Sequence, residues 1–152
     1  MNADMPQALK TLLEIVTRER DQAAAAMAQA EQQLRAQQQQ WEQLQAYQAD
    51  YARRAPAHGG RAAPIEVLRT HQAFMGRLDQ ALTHQQRVLS AADGEAQLRR
   101  QTLLQRETRL ASVRKLMQRR ATSAAREADR AEQRRTDEAA MQHHWHQRAA
   151  TN

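Results

Sequence analysis

The chain has 152 residues, a formal net charge of +6, no cysteine, and an apolar fraction of 41%. Leu, Ile, Val and Phe together number only 21, below the roughly 20% of residues that usually supports a packed globular core. The low aliphatic share disfavours a compact globule, the lack of cysteine excludes disulfide and thiolate chemistry, and the choice falls between disorder and long helices.

Composition favours helices. Ala, Gln, Arg, Leu and Glu dominate, and all rank well as helix formers. Of the seven Gly and Pro residues, five lie between Pro56 and Gly76. The N-terminus lacks the basic patch and apolar run of a signal peptide, and no stretch approaches the ~18 apolar residues of a membrane span. The chain therefore reads as cytoplasmic.

A first helix is predicted over about residues 7–53. Asp4 can cap it, Gln7 follows three residues later as in a capping box, and Pro6 is tolerated in a first turn. A 4-3 spacing runs through Leu9, Leu13, Val16, Arg20, Ala23, Met27, Ala30, Leu34, Gln37, Trp41, Leu44, Gln48 and Tyr51. Ten of these thirteen positions are apolar, the pattern of a coiled-coil seam. Residues 54–64 break it: Pro56 and Pro64 bracket Gly59-Gly60, which reads as a turn.

A second helix is predicted over about 65–147. Its stripe is Leu68, His71, Met75, Leu78, Leu82, Gln85, Leu89, Ala92, Ala96, Arg99, Leu103, Arg106, Leu110, Val113 and Met117. Beyond Met117 it thins to Ala124, Ala131, Met141 and Trp145. Gly94 should weaken the helix without ending it. A short connection favours antiparallel neighbours. Folding about residues 59–60 would set Leu44 against Met75, Trp41 against Leu78, Ala30 against Leu89, and Arg20 against Arg99. The last pair would splay the coil locally. The expected fold is thus all-α, a long two-helix antiparallel coiled-coil hairpin forming a single domain over 1–152. Its helices would extend roughly 70 and 120 Å, leaving the C-terminal part of the second to project.

Charge is uneven. Residues 1–60 carry 6 basic and 7 acidic groups, whereas 61–152 carry 17 and 10. Arg99 to Arg120 holds eight basic residues against the single acid Glu107, so this half should attract acidic surfaces. Near the turn the apolar surface is wider than one seam needs. Gln40, Leu44, Tyr47 and Tyr51 form a second stripe on the first helix, and Phe74, Leu78, Ala81 and Gln85 form one on the second. Tyr47 and Phe74 are expected to stay partly exposed and close together, as contact residues for a partner.

Catalysis has little support, because two helices offer no cavity to exclude water. His143-His144-Trp145-His146 lacks accompanying ligands at metal spacing and reads as solvated. Neither a cofactor nor a small-molecule substrate is expected. The basic run could neutralise nucleic-acid phosphates, but a basic zipper needs its basic segment ahead of the heptads in a parallel dimer. A self-associating coil is a further alternative, against an expected monomer.

The run Leu44-Gln45-Ala46-Tyr47-Gln48-Ala49-Asp50-Tyr51, followed after the turn by His71-Gln72-Ala73-Phe74-Met75-Gly76-Arg77-Leu78-Asp79-Gln80-Ala81-Leu82, resembles the FliJ family of the flagellar export apparatus. Its pattern is Leu-x-x-Tyr-x-x-x-Tyr, then Phe-x-x-x-Leu-x-x-Ala. Chain length, central break and long basic second helix agree as well. The resemblance implies a coiled coil shaped like the central stalk of rotary ATPases, lying peripherally at the cytoplasmic face of the inner membrane. It implies binding to the hexameric export ATPase FliI at the end bearing both termini, promoting ring assembly, and to the export gate protein FlhA at the turn end, coupling export to the proton motive force. Binding of the regulator FliH and escort of export chaperones are implied too. Virulence-type secretion systems have counterparts of the same shape. Carried onto this sequence, the gate contact falls on Gln40, Leu44, Tyr47, Tyr51, Phe74, Leu78 and Ala81. A family His four residues past that Ala is Gln85 here, with His84 beside it. For the ATPase ring the candidates are Arg114, Lys115, Arg119 and Arg120.

Overall fold

The computed structural model describes residues 5–56 and 63–151. The Asp4 cap and the Gly59-Gly60 turn lie outside the described residues. The fold is an all-α antiparallel hairpin of two helices, α1 (Gln7–Arg53) and α2 (Ile65–Ala150). Both helices are entered through a proline. The Pro6 carbonyl accepts from Leu9 N (3.0 Å) and Lys10 N (3.3 Å), and the Pro64 carbonyl accepts from Val67 N (3.0 Å) and Leu68 N (3.2 Å). A proline costs nothing at such a position, since its missing N–H would find no helical partner there.

The heptad positions predicted to form the seam are the ones that lose water. All thirteen on α1 are buried or half-buried, as are fourteen of fifteen on α2, Arg99 being the exception. Few are fully buried, and among the large side chains of the described residues only Val16 falls below 2% exposure. Two helices enclose a line of residues rather than a volume, which matches the low aliphatic content.

The chain forms two compact units. The first combines Met1–Glu19 with Arg106–Asn152. Its core is Val16, Leu110 and Val113, with Leu12, Leu13 and Met117 packed against them. Glu19 Oε2 receives Arg109 Nη1 at 3.0 Å and lies 3.6 Å from Arg106 Nη1. These groups are partly solvated, so the pairing contributes little stability. Past Met117, every described residue of α2 is exposed except the half-buried Ala131.

The second unit, Arg20–Gln105, carries a seam through Ala23, Ala30, Leu78, Leu82, Gln85 and Ala96. Its register differs from the one expected by folding about residues 59–60. Gln48 donates to Asp79, Gln85 Nε2 donates to Gln37 Oε1 (2.8 Å) and to the Gln37 carbonyl (3.1 Å), and Arg100 meets Glu31 at 3.3 Å. In every case the α2 partner lies further along the chain than that folding point would place it. The cause is visible at the end of α1, where Tyr51 packs on His71 and Phe74. The first turn of α2, with Ile65 64% and Val67 46% exposed, therefore overruns α1 before the seam begins. The shift also removes the expected Arg20–Arg99 clash. Arg20 pairs with Asp21 and Arg99 with Glu95, both at 2.7 Å, while Ala96 is fully buried between the helices.

Gly76 and Gly94 both lie within α2, and a Cβ added at either meets nothing within 4 Å. Gly94→Ala should accordingly stabilise the chain by about 1 kcal/mol, through helix propensity alone. A rise in the urea midpoint at unchanged slope checks it; a fall would mean that the site tolerates no side chain.

Candidate partner-binding surface

Three neighbouring turns of α1 and the returning helix α2 build an aromatic face at one end of the second unit. Tyr47 and Tyr51 are i, i+4 on α1 and share a side, with ring centroids 6.3 Å apart. Phe74 reaches across from α2, tilted against Tyr51 at 4.4 Å and edge-on to Tyr47 at 6.4 Å. Tyr47 is 51% exposed, and Phe74 and Tyr51 are half-buried. Gln40, Gln43, Leu44 and Tyr47 line an open groove continuing along α1.

The seven residues assigned to the gate contact thus differ in accessibility. Gln40 and Tyr47 are exposed, Leu44, Tyr51, Phe74 and Ala81 half-buried, and Leu78 buried at 7%. Leu78 lies one helical turn beyond Phe74, in the seam and out of reach of solvent. Gln85, the position of the family His, is 8% exposed and spends its amide on Gln37. That pairing satisfies a polar group in the seam, and registers that would bury Gln85 without an acceptor are penalised. Gln43 joins the groove without having been singled out in the sequence. Its place beside Gln40 and Tyr47 follows from helical spacing, but a glutamine among many carries no signal of its own.

The basic candidates lie in the first unit. Arg114, Lys115, Arg119 and Arg120 are all exposed, and among the described residues none is in an ion pair. Lys115 and Arg119 line an open cleft along one side of α2 with Arg126, Arg130 and the acidic Glu127. By contrast Arg106 and Arg109, still alongside α1, are met by its Glu19. Further on, His143 accepts from Gln147 Nε2 at 3.2 Å and His146 Nδ1 donates to the Gln142 carbonyl at 3.0 Å. Among the described residues no group of three or more His, Cys, Asp or Glu is placed to hold a metal ion, and no helix is long and apolar enough to cross a membrane.

The described residues form a two-helix coiled coil with aromatic and cationic side chains exposed outside its seam. Residues 5–149 match the family described as Flagellar FliJ protein. The chain belongs to that family, and so to the components of the flagellar export apparatus. No curated protein and no solved structure matches it.

Proposed function

We propose that this protein is the stalk-like component of the flagellar export apparatus that binds both the hexameric ATPase FliI and the gate protein FlhA. In this reading it promotes ATPase ring assembly, couples export to the proton motive force, binds FliH and escorts export chaperones, working at the cytoplasmic face of the inner membrane. It takes no part in catalysis itself. The observation that carries the reading is the family match over residues 5–149. Two features of the surface support the division of labour. Tyr47 and Phe74 leave aromatic area outside the seam, where a partner can desolvate it. Arg114, Lys115, Arg119 and Arg120 are exposed cations with no ion-pair partner among the described residues, where an acidic surface can pair with them.

The test is a pull-down from extract with the full chain as bait, in which FliI and FlhA should be recovered; recovery of neither counts against the proposal. Reversing all four cations to glutamate should abolish most stimulation of FliI ATPase activity, with helicity retained. Stimulation equal to that of the unmodified chain would show that this surface is not the ring contact. Retained stimulation together with lost DNA retention would instead mark the cations as a nucleic-acid site.

A further inference from the structure

His71 occupies a seam position by heptad spacing, and it adds a polar contact to its packing. Its Nε2 lies 3.2 Å from the backbone carbonyl oxygen of Tyr51. A carbonyl only accepts, so Nε2 carries the proton and donates. The imidazole also lies flat on the Tyr51 ring, with centroids 5.0 Å apart and planes 10° from parallel. Tyr51 sits in the last turn of α1, where carbonyls run out of intrahelical donors. Its oxygen takes a second hydrogen bond from Arg54 N at 3.2 Å, so both lone pairs are used. The same Tyr51 ring contacts Phe74 at 4.4 Å and Tyr47 at 6.3 Å.

We infer that His71 is a positioning residue for the aromatic face: by holding the Tyr51 carbonyl and ring from the opposite helix, it fixes the end of α1 and presents Tyr47 and Phe74 as one surface. Side chains ordered before binding need not be ordered during it, so the gain appears as affinity without a new contact. Other polar groups near this cleft do not substitute for the bond. The Thr70 hydroxyl is engaged with the Glu66 carbonyl at 2.9 Å, and the Arg54 guanidinium is paired with Asp50 at 3.1 Å. The consequence for binding rests on the gate-contact reading above; the effect on the end of α1 does not, and is read in the free protein.

The experiment compares His71→Ala, His71→Gln and His71→Phe in the full chain. Amide hydrogen exchange is followed over the last turn of α1, and affinity is measured for the cytoplasmic part of FlhA. His71→Ala should speed exchange at Arg54 about tenfold and weaken binding by about the same factor, the scale of one lost hydrogen bond, with far-UV helicity unchanged. His71→Gln can donate to the same oxygen and should restore protection at Arg54. His71→Phe keeps a ring on Tyr51 but has no donor and should not. A role in packing alone reverses that order, with Phe rescuing and Gln failing, and overturns the inference. So does unchanged exchange in His71→Ala. If that variant loses helicity, the contrast between Gln and Phe carries the test. Should His71→Ala bind FlhA normally while Tyr47→Ala with Phe74→Ala binds weakly, the positioning role falls and the gate reading stands. Should the aromatic double variant also bind normally, the gate reading falls, and the exchange pattern alone decides what His71 does.

Discussion

Replacing Tyr47 and Phe74 together by alanine should lower affinity for the export gate about a hundredfold while leaving the helical content intact. Aromatic side chains at the centre of an interface commonly cost ~2 kcal/mol or more each on truncation, and every 1.4 kcal/mol is a factor of about ten. The contributions of touching residues do not add, so the pair is placed below the sum of two such losses. The effect on helical content should be small by comparison, and the loss of the Phe74 contact with Tyr51 at 4.4 Å should loosen only the end of α1. Tyr47 is already 51% exposed, and the Tyr47–Phe74 contact is edge-on at 6.4 Å, an interaction of about 1 kcal/mol. The seam beneath is made by Leu78, Leu82 and half-buried Leu44, none of which is changed. Far-UV circular dichroism and a binding isotherm on the same preparation separate the two effects. Melting of the double variant at working temperature would mean that these rings are core and that the contact lies elsewhere.

Much of the fold was legible in the sequence because it depends on one-dimensional signals. The helices start where prolines put an acceptor carbonyl, at Pro6 and Pro64, and the 4-3 spacing picks out the side chains that lose water. Register was not legible. It depends on which residues interlock across the turn, and the Tyr51, His71 and Phe74 stack sets α2 further along than a fold symmetric about Pro56–Pro64 would place it. Two consequences followed. The expected Arg20–Arg99 repulsion does not occur, since each arginine finds a carboxylate on its own helix. The Gln37–Gln85 pair, in turn, could not be foreseen from two residues that helices place as readily on a surface as in a seam. The aromatic face was visible as surplus apolar area near the turn. Its internal order was not, because the hydrogen bond from His71 goes to a backbone carbonyl, and backbone acceptors leave no mark in a sequence.

The second large effect concerns the other unit. Leu110→Ala should destabilise the packing of α1's first turns by about 3 kcal/mol, a loss typical of truncating a buried leucine. Leu110 is 2% exposed and packs with Val16 (1%) and Val113 (7%) in the buried cluster of Met1–Glu19 with Arg106–Asn152. A line of contacts has little depth from which to refill a hole, and the surrounding ion pairs to Glu19 are too solvated to compensate. Because each position along such a seam is held mainly by its immediate neighbours, the loss should appear as local opening. Amides between Leu9 and Glu19 should lose hydrogen-exchange protection, while those between Gln37 and Tyr51, held by the Gln37–Gln85 pair and the aromatic stack, keep theirs. In the proposed division of labour the variant then stimulates the ATPase poorly yet binds the gate normally. Equal loss of protection at both ends would show that the hairpin opens as one cooperative body, and that binding at either end is stabilised by packing along its whole length.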